Sequence, residues 1–181
     1  MYWLVLTSHE SYDEVMRKIN EFINNFYLEL SSGVVKGGEI KEHIDRVVSA
    51  TLNVFRRKFL LSKLHGRIYM DLYLSKQHLC AVFGEVEESD FHRIATYISY
   101  VLGVKIVDLP LLKILRIFKD HSESIRIITE GKDYSSDNID PDLLPSMQGF
   151  VVGSTVVKKR YAYSPSRTLL KRISEIVINE I

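Results

Sequence analysis

Along most of the chain the apolar residues recur with one of two periods. From Gly66 to Leu74 they alternate without interruption, so Ile68, Met70, Leu72 and Leu74 fall on one face of a strand. Arg67, Tyr69, Asp71 and Tyr73 fall on the other. Tyr2 to Thr7 predicts an earlier strand. Ser11-Tyr-Asp-Glu14 then has the form of a capping box. Tyr12, Val15, Met16, Ile19, Phe22, Ile23 and Phe26 follow at helical spacing, which predicts a helix over about 11–26. "FYLEL" opens a short strand, and the three glycines of "SSGVVKGG" break the pattern. A longer helix is predicted from about Glu39 to Lys63, with Ile40, Ile44, Val47, Val48, Leu52, Phe55 and Phe59 on its stripe and Gly66 ending it.

After the alternating strand, "SKQ" predicts a hairpin turn into "HLCAVFGEV". Ser89 is placed to cap a helix carrying Phe91, Ile94, Ala95, Ile98 and Val101, which Gly103 stops. Val104–Val107 predicts a short strand, and Asp108 an N-cap for a helix over Leu109–Phe118, where Pro110 fits the first turn. "SIRIITEG" is a further strand. Residues 131–149 are polar, carry two prolines and lack periodicity, which predicts a flexible connecting loop. "FVVGSTVVKKRYAY" reads as a long strand or a hairpin at Gly153-Ser154, and Ser164-Pro165-Ser166 introduces a final helix with Leu169, Leu170, Ile173, Ile176 and Val177 on its stripe.

The order through residue 108 can be written βαββαβ if the two early helices act as one crossover. The expected fold is therefore α+β, a ferredoxin-like antiparallel sheet with helices on one face and a C-terminal strand-helix extension. One domain is expected over 1–181, with its core in 1–108 and its extension in 109–181.

Composition sets outer limits. A chain of 181 residues with 46% hydrophobic and 26% charged residues is of ordinary globular character. Its apolar runs are too short for a membrane span and its start lacks the basic region of a secretory signal, so a cytoplasmic protein is expected. The single cysteine, Cys80, excludes an internal disulfide and a cysteine-rich zinc site. Two glutamines beside many Ile, Tyr, Lys, Arg and Glu is a bias that thermophile proteins show. The net charge of +1 argues against a polyanion binder overall, yet residues 150–181 carry six cations and two acids. A second basic cluster, Arg56, Arg57, Lys58, Lys63 and Arg67, has no acid between its ends.

These patterns define the candidate chemistry. Tyr69 and Tyr73 on a helix-free sheet face would suit base stacking, although the glycine-aromatic signature of RNA-recognition motifs is absent. The competing expectation is that the C-terminal segment covers them. "KKRYAYSPSRTLLKR" interleaves Lys158, Lys159, Arg160, Arg167 and Arg172 with Tyr161 and Tyr163; with Arg56 and Arg57 these cations would supply phosphate contacts. His78 and Cys80, two apart on a strand, face the same way as a thiolate–imidazole pair requires, but "LCAVF" is a core-like setting. The remaining histidines lack metal-ligand spacing, and neither a phosphate loop nor a dinucleotide fingerprint is present.

The run "FYLELSSGVVKGGEIKEHIDRVVSATLNVFRRKFLLSKLHGRIYMDLYLS" resembles the strand, long helix and strand of the smallest subunit of the KEOPS transfer-RNA modification complex. That resemblance, over about fifty residues, implies a non-catalytic accessory that helps hold transfer RNA. After "LYLS" the family continues into a short helix ending in Phe-Gly-Ile, where this chain has the strand-like "KQHLCAVFGEV". No site residue is carried over.

The expectation is a non-catalytic binding or accessory protein that works through protein contacts or self-association, without cofactor or metal. Direct binding of RNA or DNA is the alternative.

Overall fold

The computed structural model describes residues 1–31, 33–56, 66–119, 125–130, 132–136 and 141–180. Among them, twelve strands form one antiparallel sheet and four helices pack on its two faces. In chain order the elements are β1 (Tyr2–Ser8), α1 (Tyr12–Asn24), β2 (Tyr27–Glu29), β3 (Gly33–Ile44), β4 (Val47–Arg56), β5 (Gly66–Leu74), β6 (His78–Gly84) and α2 (Glu88–Leu102). They continue with β7 (Lys105–Ile106), α3 (Leu111–Ile117), β8 (Ile125–Thr129), β9 (Lys132–Ser136), β10 (Gly149–Val152), β11 (Thr155–Lys158), β12 (Ala162–Ser164) and α4 (Arg167–Glu180). Eleven strands follow the order β2-β3-β4-β5-β6-β1-β12-β11-β10-β8-β9, and β7 pairs with β1.

This is not the expected ferredoxin-like layout. The predicted helix over 39–63 is instead the β3–β4 hairpin, with residues 57–63 of that expectation outside the described residues. The apolar positions of this segment satisfy both periods. Its β-branched residues Ile40, Ile44, Val47, Val48, Thr51 and Val54 favour the strand, where a branched side chain keeps its rotamer without crowding a preceding turn. Asp45 and Arg46 make the two-residue turn, Asp45 adopting a positive φ of 51° that aspartate tolerates better than most residues. The resemblance to a strand, long helix and strand loses its central element with this correction.

The second correction concerns the faces. Successive residues of a strand point to opposite sides, and β1 divides between two cores accordingly. Trp3 and Val5 join the core under α1 and α2, while Leu4 and Leu6 join the core under α3 and α4. Helices therefore cover both faces. Residues 109–181 continue the same sheet, since β12 pairs with β1 through Tyr2↔Ser164, Trp3↔Tyr163 and Leu4↔Ala162.

Local signals set many of the boundaries. Ser11 caps α1, its hydroxyl accepting from the Glu14 amide at 3.3 Å, and Gly103 ends α2 with φ 66°. The α2 cap is Glu87 rather than Ser89, and Pro110 rather than Asp108 precedes α3. Residues 131–149, expected as a loop, contain β9 and a 3-10 turn at Pro141–Ser146. The hairpin at Gly153-Ser154 is present as β10–β11. Ser166 caps α4 by accepting from the Leu169 amide at 3.2 Å. Leu170, Ile173 and Val177 of α4 are fully buried, each worth roughly 1.5–3 kcal/mol against exposure. No helix among the described residues is long and apolar enough to cross a membrane.

Candidate binding surfaces

The second face of β5 is partly roofed by α4, which lies across β5, β6, β1 and β12. Tyr73 is buried beneath it, 3% exposed, and burial is the chief reason its phenol titrates far above the usual tyrosine range. Asp71, one turn of the pleat away, is also buried. Arg167 in the first turn of α4 donates to Asp71 Oδ2 from Nη2 at 2.7 Å and from Nε at 3.1 Å, while Ser49 donates to Oδ1 at 2.8 Å. Both carboxylate oxygens are thus satisfied. The guanidinium lies 5.8 Å from the centroid of the Tyr69 ring, a cation–π contact.

Tyr69 marks the border of the roof. It is 43% exposed and belongs to a cross-strand row on the α4 side, Glu39–Thr51–Tyr69–Gly84–Tyr2. Gly84 is needed there, since a Cβ would stand 2.8 Å from the Tyr2 ring and 3.4 Å from Tyr69 Cβ. Beyond Tyr69 no described residue covers the sheet face over β3 and β4, where it carries Glu39, Glu42 and Ile44, the last 62% exposed. Arg67 lies 3.8 Å from the Glu39 carboxylate, and Lys41 pairs with the same group more closely, which holds its carboxyl below the usual glutamate range.

The sequence-predicted cations do not converge on this face. Tyr161 packs 6.0 Å from both Trp3 and Phe91, which places the turn between β11 and β12 on the α1/α2 side. Lys158 sits over the Tyr161 ring, 5.5 Å from its centroid, and donates to its hydroxyl at 3.4 Å. That hydroxyl donates to Glu88 at 3.3 Å, and the His92 ring meets the Tyr161 ring edge-on at 5.0 Å. Arg160 donates from Nη1 to the Ile106 carbonyl at 2.8 Å and pairs through Nε with Asp108 at 3.0 Å. Lys159 and Arg172 are exposed, the latter on the outer side of α4; Arg56 is exposed at the end of β4. Arg57, Lys58 and Lys63 lie outside the described residues. The basic residues therefore divide between two faces of one sheet, with Lys158 and Arg160 on one and Arg67 and Arg167 on the other.

Cys80 is fully buried and points at α4, its thiol donating to the Ser174 hydroxyl at 3.4 Å. Burial pushes that thiol up to about 12, away from the thiolate that nucleophilic chemistry uses. Sequence reasoning missed Asp71 and Glu39 as partners of arginines. The clue to Asp71 was an acid set between two tyrosines on one strand face, which demands a counter-charge once covered.

No model of a known protein family matches the chain, and no curated protein matches it either.

Proposed function

We propose that the protein is a non-catalytic binding subunit that works through protein–protein contacts, using the α4-side face of β3, β4 and β5. One observation carries this reading: the cations around Tyr69 are matched by acids, Arg167 bonded to the buried Asp71 and Arg67 lying with Lys41 beside Glu39. A nucleic-acid platform carries an excess of cations over acids. Here the face is electrically balanced and offers one aromatic and one aliphatic anchor, Tyr69 and Ile44, within a rim of ion pairs. That composition suits a protein interface, whose core is depleted in net charge and enriched in tyrosine. The test compares wild type with Tyr69→Glu and Ile44→Asp, and with Tyr100→Glu on the exposed side of α2 as control. A stoichiometric partner or dimer kept by wild type and control and lost by both face variants supports the reading. A monomer without a co-purifying protein rejects it.

A second reading, direct binding of RNA or DNA, is favoured by the other face, where Lys158 and Arg160 bracket Tyr161 and His92. Lys159, Arg172, Arg56 and Arg57 complete the cations it would draw on, whereas Arg167 and Tyr69 lie on the opposite face and Tyr73 is buried. It requires affinity that falls steeply with salt and is lost when Lys158, Lys159 and Arg160 become alanine. Binding untouched by that triple change counts against it.

A further inference from the structure

Along one edge of β1 the sheet divides. β6 pairs with β1 over its whole length, but the opposite edge is shared by β12 at Tyr2–Leu4 and by β7 at Thr7–Ser8. Neither covers Val5 from that side. A cavity of about 280 Å³ opens at the gap, floored by Val5, Phe91 and Ala95, with Ile106 and Tyr161 as walls and His92, Thr96 and Arg160 around them. The aromatic part is braced from behind. Phe91 stacks on Trp3 at 5.1 Å and lies 5.1 Å from the His92 ring, and His92 meets Tyr161 at 5.0 Å. The walls are thus set before any ligand arrives.

Arg160 is the polar counterpart. Its Nη1 donates to the Ile106 carbonyl and its Nε pairs with Asp108, which together orient the guanidinium although the side chain is 61% exposed. Nη2 carries no hydrogen bond among the described residues. A planar donor oriented in this way is suited to one oxygen of an anion, where a charge-assisted bond is about twice as strong as a neutral one. Lys158, on the Tyr161 ring, adds a second positive charge, against Asp108 and Glu88. The size also selects. Sites for drug-sized ligands span roughly 300–1,000 Å³, so this cavity matches one ring system with a short substituent.

We propose that the pocket between α2, β7 and β12 binds a small molecule made of one planar aromatic ring bearing an anionic group, the ring on the Val5–Phe91–Ala95 floor and the anion at Arg160. The site lies on the face opposite the protein-contact surface and does not depend on it. Phenyl phosphate, phenol and inorganic phosphate separate the two halves of the recognition. Binding is followed by the fluorescence of Trp3, the only tryptophan of the chain, and by saturation-transfer NMR on the probe. The expected result is saturable binding of phenyl phosphate, with phenol and inorganic phosphate each weaker by about tenfold or more. Arg160→Gln removes the preference for phenyl phosphate over phenol and leaves phenol binding unchanged. Thr96→Phe, at the exposed rim and outside the core, weakens both ring-bearing probes. Circular dichroism and thermal melting establish that each variant is folded. The proposal is overturned if phenyl phosphate binds no better than inorganic phosphate or phenol, or if either folded variant binds as wild type does. It is also overturned if a single-stranded oligonucleotide binds tenfold more tightly and is lost in the same variants, an outcome that assigns the pocket to nucleic acid.

Discussion

Arg167 sends two N–H groups to a single oxygen of Asp71, tying the first turn of the last helix to the middle of β5 across 96 positions of sequence. The Asp71 side chain is 7% exposed and that of Arg167 45%, so the carboxylate depends on its partners far more than the guanidinium does. Removing the arginine leaves a buried carboxylate with Ser49 alone. Arg167→Ala is expected to cost about 2 kcal/mol in urea unfolding, Arg167→Lys less, because one donor and the charge are kept. In an Asp71→Asn background the cost of Arg167→Ala shrinks; equal costs in both backgrounds would show that the two residues are uncoupled.

Cys80 gives a direct report on whether α4 is seated. The native thiol is expected to resist a disulfide reagent at neutral pH and to react once the chain unfolds. Ile173→Ala, which empties a fully buried position of α4, is expected to destabilise by about 2–5 kcal/mol and to speed Cys80 labelling in proportion to the opened population. Fast labelling of the wild type under native conditions would contradict the packing of α4 on β6.

Alkaline pH should loosen the same region. Burial raises the titration of Cys80 to about 12 and that of Tyr73 upward, so both are neutral in the fold while the unfolded chain releases their protons earlier. The stability they contribute is complete below the unfolded values and is lost as pH rises from about 9 toward the folded values. Urea midpoints measured at about pH 8 and pH 10.5 should fall between the two, and fall less in Cys80→Ala. A flat profile would mean that neither group is shielded.

The acid side involves His78. Burial first, and the neighbouring His9 second, lower its titration below the ordinary histidine range. The unfolded chain then takes up the proton before the folded one does, so this stability is present above about pH 6.5 and lost as pH falls below it. His78→Gln is expected to flatten the midpoint profile between about pH 7 and pH 5. An unchanged slope would place the titration elsewhere.

Gly149 faces β11 too closely for a side chain, since a Cβ would stand 2.5 Å from the Val157 carbonyl oxygen. The obstacle is backbone and cannot swing aside. Gly149→Ala is expected to cost about 1–3 kcal/mol and to increase amide exchange along β10 and β11. Wild-type stability in this variant would contradict the close approach.

How much of this was legible depended on how local the cause was. The alternation in Gly66–Leu74 defines β5 with its observed limits, because period two in a short segment has no rival. The segment after Glu39 had a rival, since Ile40, Ile44, Val47, Val48 and Leu52 fit a helix stripe while Val48, Ala50 and Leu52 fit a strand face. The turn at Asp45-Arg46 lacked the glycine that would have advertised it. Long-range placement was out of reach. That Tyr73 is covered, Tyr69 half-covered and Arg167 bound to Asp71 all follow from where α4 lies. That is set by the pairing of β12 with β1, and nothing near either strand in sequence announces it. The division of the basic residues between two faces has the same origin.

The partnership of β1 and β12 also has a temporal side. β1 leaves the ribosome well ahead of β12, and one of its edges finds that partner only after the residues between the two have emerged. Until then that edge is an unpaired template beside a half-built core, and closing so large a loop is slow compared with making the β3–β4–β5–β6 meander. The meander should therefore form early and the seating of β12 and α4 should set the final rate. During that interval the molecule is most exposed to pairing with the wrong chain.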